Sequence, residues 1–231
     1  MIKSHPSEAI LYQYASGDLS AAMTLVVGTH VDMCSVCQQT VCEIEHDLCS
    51  KHLDTVVQTL NTPSHGYSGL SKTDTDKMLE KIFSSEAKPA VQPDELICLE
   101  GRRFVLPRTL AHNRARIGDW TNLVGKLWRA PIDVGDRGHT NLIYMEPGTQ
   151  VPEHTHKGQE ATLVVDGVFN DEKDVYYNGD FILLDADRTH TPQTSAQDCL
   201  TLATLDAPLY FTSGISRLLN PFSSLFFRAS A

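Results

Sequence analysis

A chain of 231 residues, 41% hydrophobic and 21% charged, has the ordinary make-up of a globular protein and is long enough for one large domain or two small ones. Its formal net charge of -10 argues against a direct DNA- or RNA-binding surface; it suits docking on a basic partner, or plain solubility. No apolar run reaches the roughly 18 residues of a membrane span, and no basic stretch precedes AAMTLVVG, so neither a signal peptide nor a membrane segment is expected and the cytoplasm is the default location.

In chain order, the first 86 residues read as helical. SHPSEAILYQYASGDLS (residues 4–20) places Pro6 in the first turn of a helix whose apolar face holds Ile10, Leu11 and Tyr14, with Gly17 as its end. Ser20 caps a second helix, AAMTLVVGTHV. A third runs from about Cys34 to Gln58, where Val41, Ile44, Leu48, Leu53 and Val56 recur at helical spacing. NTPSHGYSG breaks the chain. A short fourth helix, TDTDKMLEKIF, pairs an acidic first turn with Met78, Leu79, Ile82 and Phe83.

SSEAKPAVQPDE, rich in proline and small polar residues, has the make-up of a linker. Beyond it the period changes to that of strands: NLIYMEPG, ATLVVDGVF, GDFILLD and CLTLATL are β-rich runs separated by Gly, Pro, Asp and Asn. The expected fold is α+β in two domains: a small bundle of about four helices over residues 1–86, a linker over 87–98, and an all-β jelly-roll barrel over 99–231.

Two clusters carry chemistry. HVDMCSVC sets His30, Cys34 and Cys37 at the spacing H-x3-C-x2-C. They share one face if the helix continues, and can still wrap one ion if a turn breaks it near Cys34. Thiolate and imidazole are ligands zinc prefers, and a closed zinc site takes four. His5 is the candidate fourth ligand, with His46 and Cys42 as competitors. A dithiol redox pair is the alternative, without the βαβ context such motifs favour. Cys42 and Cys49 share a helix face and read as small buried side chains. Cys199 reads as core, and Trp120 and Trp128 as packed in the barrel. A histidine near the N-terminus followed by H-x3-C-x2-C resembles the bacterial zinc-binding anti-sigma domain, over residues 4 to 86. The resemblance implies His5, His30, Cys34 and Cys37 as zinc ligands.

The second cluster is GTQVPEHTHKGQEATLVVDG, which reads G-x5-H-x-H-x3-E-x6-G. On a strand His154 and His156 point to one side, and a turn at Lys157–Gly158 returns Glu160 to the same point. GDFILLDADRTHTP adds His190. The first run matches the first cupin motif throughout. In the second, Asp185 and Asp187 stand where the cupin pattern has proline and glycine, while Gly179 and His190 are kept. His154, His156, Glu160 and His190 are the expected ligands of zinc or another divalent transition metal.

A zinc anti-sigma domain followed by a cupin resembles the ChrR family of anti-sigma factors over nearly the whole chain. The resemblance implies negative regulation of transcription: one-to-one sequestration of an extracytoplasmic-function sigma factor, with release on an oxidative signal such as singlet oxygen. No catalytic residue is then expected, and no contact with nucleic acid or membrane. The exposed side of the fourth helix (Met78, Leu79, Ile82 and Phe83) is the candidate partner-binding face, against the alternative that it packs in its own bundle. The rival function is a metal-dependent cupin enzyme, an oxygenase or isomerase, with an accessory zinc domain.

Overall fold

The computed structural model describes residues 1–60, 72–85, 95–135, 139–156, 158–185, 188–207 and 209–212. The break at 61–69, most of the expected linker, Lys157 and Asp187 lie outside them.

Helix α1 spans Glu8–Ser16. Its cap is Ser7, whose hydroxyl accepts from the Ile10 amide, so Pro6 precedes the helix instead of occupying its first turn as expected. Gly17 ends it at φ 79°. Helix α2, Ala21–Met33, begins at the Ser20 cap and stops where Cys34 turns extended (φ -117°, ψ 103°). Helix α3, Ser35–Leu60, follows at once, and α4 covers Lys72–Ser84. A short α5, Arg108–His112, sits between the first strands and the large sheet.

The remaining elements are strands: β1 Leu96–Leu99, β2 Arg102–Val105, β3 Thr121–Val124, β4 Leu127–Ile132, β5 His139–Met145, β6 His154–His156, β7 Glu160–Asn170, β8 Val175–Tyr177, β9 Phe181–Leu184, β10 Thr189–His190, β11 Cys199–Leu205 and β12 Leu209–Phe211. All pairings among them are antiparallel. The large sheet runs β3-β4-β5-β11-β7-β8, with β9 also on β7; β10-β6-β12 form a second sheet and β1-β2 a hairpin. The α+β class is as expected. Leu96–Cys98, expected in the linker, already pair in β1, because Ile97 finds a buried place in the core.

The two faces of the large sheet feed two cores, as the alternation of side chains on a strand requires. Leu142, Tyr144, Leu163, Leu200 and Leu202 join a core with Val26 and Val27 of α2, Leu110 of α5 and Phe104 of β2. Their neighbours Met145, Val164 and Cys199 join the other, with Phe169, Ile182 and Leu184. Helix α2 packs on β7, β11 and α5, which is why every residue of β11 is buried. Trp120 and Trp128 are partly buried against the first core.

One compact unit joins residues 1–45 to 93–231; the other is residues 46–92. The outer face of β7 and β11 is apolar, and α2 covers it. Cys42 and Cys49, read from the sequence as buried, are exposed on α3; beside Cys42, Val41 and the partly buried Ile44 take the packed side. In the second unit α4 leaves Met78, Leu79, Ile82 and Phe83 exposed, Phe83 at 83%.

Candidate metal centres

The break between α2 and α3 builds the first cluster. His30 lies in the last turn of α2, Cys34 in the extended link and Cys37 in the first turn of α3. The segment before α1 brings in His5. The ligand atoms of His5, His30, Cys34 and Cys37 all lie within 4.8 Å of one another. His30 Nε2 is 3.2 Å from Cys37 Sγ, and His5 Nδ1 is 3.4 Å from both sulfurs. Tetrahedral zinc with Zn–S about 2.3 Å and Zn–N about 2.0–2.1 Å separates its ligands by about 3.3–3.8 Å, and the nitrogen–sulfur separations of 3.2–3.4 Å suit such an ion. Cys42 and His46, weighed for the fourth position, are both exposed on α3.

The partner of His30 fixes its tautomer. Nδ1 donates to the carbonyl of Gly179 at 2.7 Å, so Nε2 presents a lone pair to the cluster. Burial pushes the His30 pKa down to about 4 and the Cys37 thiol up to about 12. A bound cation reverses the second effect, because it holds the sulfur as thiolate.

The second cluster lies in the barrel. His154 and His156 flank Thr155 on β6, Glu160 opens β7, and His190 on β10 pairs directly with His154. His154, His156 and His190 point their Nε2 atoms at one another: His154 to His190 is 2.9 Å and His156 to His190 is 3.2 Å. Glu160 Oε2 is 2.7 Å from His156 Nε2 and 3.6 Å from His190 Nε2, while Thr162 donates to Oε1 at 2.9 Å. His154 Nδ1 donates to the Pro152 carbonyl at 2.8 Å, which leaves a lone pair on its Nε2. Three converging imidazole nitrogens and one carboxylate are a donor set that suits a cation. Burial holds the His154 pKa down to about 4. For Glu160 burial pushes the carboxyl up, but hydrogen bonds from His156 and His190 outweigh it and the net shift is well downward.

The sequence missed the supporting groups. Asp171, partly buried with its side chain covered, stands 3.8 Å from His190 Nδ1 and lines a cavity of about 70 Å³ beside His154, Glu160 and His190. Gly167, the last glycine of the first cupin motif, has φ +89°, and a Cβ there would strike the Asp198 carbonyl.

These shifts predict an acid response. Unfolded imidazoles bind a proton near pH 6.5, whereas native His30 and His154 resist until about pH 4. The unfolded chain therefore binds more protons in that window. The contribution is full above pH 6.5 and is lost as pH falls towards 4, by at most about 3 kcal/mol for each residue. Urea unfolding of the metal-free chain between pH 7 and 4.5 should show the midpoint falling; a flat midpoint would contradict neutral, buried imidazoles.

An antiparallel double sheet enclosing three histidines and a glutamate defines a cupin, here with a second candidate metal group at the break between α2 and α3. Comparison with known proteins is consistent with this: residues 111–208 match the ChrR cupin-like domain. The chain is 32% identical over 222 residues to the anti-sigma-E factor ChrR of Cereibacter sphaeroides, covering 96% of this chain and 98% of that one. It also resembles a chain in the crystal structure of Rhodobacter sphaeroides SigE in complex with the anti-sigma ChrR, at TM-score 0.63 and 28% identity, over 89% of this chain and 100% of that one. The chain belongs to the ChrR family.

Proposed function

We propose that this protein is a cytoplasmic anti-sigma factor that holds an extracytoplasmic-function sigma factor in a one-to-one complex and so keeps it from transcription. The carrying observation is similarity to an anti-sigma-E factor over 96% of the chain. His5, His30, Cys34 and Cys37 would hold zinc, which supplies cross-links between the N-terminal segment, α2 and α3. His154, His156, Glu160 and His190 would hold zinc or another divalent transition metal in the barrel. Among the described residues no helix is long and apolar enough to cross a membrane.

Two routes to release on an oxidative signal, such as singlet oxygen, are open to these residues. Oxidation of the Cys34 and Cys37 thiolates removes two of the four donors of the first site. A change at the barrel site is the other route. Met78, Leu79, Ile82 and Phe83 would dock in a groove of the sigma factor, because an exposed apolar helix face is the usual element of helix-in-groove recognition. Replacing Ile82 and Phe83 together with Asp should weaken the complex by at least about 30-fold, the effect of losing one or more interface hot spots. The melting curve of the free chain should not move. Titration calorimetry with the sigma factor checks this, and unchanged affinity would remove α4 from the interface.

The cavity beside the barrel site keeps a cupin enzyme as the second reading. Its volume of about 70 Å³ holds a few waters or a very small molecule, well short of the ~300 Å³ of a common ligand pocket. That size favours the regulator, with the barrel in a tuning role.

A further inference from the structure

Asp180 is fully buried, and its carboxylate is taken up by three backbone amides, two from the N-terminal segment and one from its own turn. Oδ1 accepts from Lys3 N at 2.7 Å and Ser4 N at 3.0 Å; Oδ2 accepts from Tyr177 N at 2.8 Å. The Phe181 amide closes the clasp by donating to the Ser4 carbonyl at 2.9 Å. Beside it Gly179, at φ +87°, leaves the space that Ile2 fills, and a Cβ there would strike the Ile2 side chain. The next residue after this clamped segment is His5. The carbonyl of the same Gly179 holds Nδ1 of His30. One turn of the barrel, residues 177–181, thus positions both imidazoles of the helix-borne cluster.

We propose that Asp180 is a positioning residue for the first metal site, and that docking of residues 2–4 on the barrel and metal binding at His5, His30, Cys34 and Cys37 are reciprocally coupled. The inference rests on the metal reading of that cluster. The physical ground is pre-organisation. His5 is the one exposed member of the four, and the described segment before it has no helix to hold it. Tied through Lys3 and Ser4, the imidazole waits at the sulfurs; untied, its ordering must be supplied by the metal. Reciprocity follows from linkage: whatever strengthens metal binding by docking the segment is matched by an equal strengthening of docking by metal.

The test uses the full chain and Co²⁺, whose thiolate charge-transfer absorption reports only the site with cysteines. Asp180→Asn keeps the shape but exchanges one acceptor for a donor, and Asp180→Ala removes both acceptors. Both should weaken Co²⁺ binding at the thiolate site by about 10–100-fold, the usual range for an outer-shell partner. Binding at the barrel site should be unchanged and reports that the variants are folded. Wild-type thiolate-site affinity in the folded variants would overturn the inference. A second measurement needs no variant: amide hydrogen exchange at Lys3 and Ser4 should slow when metal is added to the wild-type chain, and equal rates with and without metal would also overturn it. Absence of any thiolate absorption in the wild type would instead overturn the metal reading beneath it.

Discussion

Replacing Cys34 with serine is expected to cut bound metal from two equivalents per chain to one and to destabilise the protein by at least about 3 kcal/mol. A serine hydroxyl has no anion to offer at neutral pH, whereas a thiolate carries both charge and soft-donor character. The loss would leave His30 and Cys37 buried with an incomplete partner set, since both contact the cluster from the ends of α2 and α3. Structural zinc contributes about 10–16 kcal/mol in isolated finger peptides. The cost is expected to be smaller here, because α2 also packs on β7, β11 and α5 without metal. For a chain of this size about 3 kcal/mol is a fall of roughly 10 °C in melting temperature. Cys42→Ser, on the exposed side of α3, is the control and should change neither metal content nor melting. Metal analysis with a thermal melt decides the matter; two equivalents retained in Cys34→Ser would remove that cysteine from the site. The same substitution should weaken sigma binding, and unchanged binding in both Cys34→Ser and Cys37→Ser would end the structural role of the metal.

The second large effect belongs to the barrel. Glu160→Gln keeps the shape of the side chain and removes the carboxylate from a cluster of three imidazoles. With it goes the charge that balances a divalent cation, and the new amide brings N–H groups towards His156 and His190. Metal affinity at this site should fall by more than the ~10–100-fold of an outer-shell change. The thiolate site and the sigma complex should persist. If Glu160→Gln folds and yet abolishes the complex, the division of labour between inhibition by the helices and tuning by the barrel is wrong.

Both clusters were legible in the sequence because their spacing reflects local geometry. H-x3-C-x2-C needs only a helix, a break and another helix; H-x-H places two side chains on one face of a strand whatever surrounds it. Helix ends were readable at Ser20 and Gly17 because caps are local chemistry, while the Ser7 cap displaced Pro6 from the helix. Packing between distant segments left no such trace. CLTLATL reads as an ordinary strand, and nothing in it says that α2 covers its outer face. Asp180 sits in a Gly-Asp pair that reads as a turn. Its partners Lys3 and Ser4 are 177 and 176 residues away and contribute only backbone amides, which no side-chain pattern encodes. Cys42 and Cys49 have the spacing of a shared face, but spacing alone does not say which face is packed.

The most direct measurement is the mass of the complex. The metal-loaded full chain would be co-expressed with the extracytoplasmic-function sigma factors of its organism and passed over a sizing column with light scattering. A stable species containing one copy of each protein is the predicted result. Separate elution of folded, metal-loaded chain from every one of those sigma factors would contradict the anti-sigma reading.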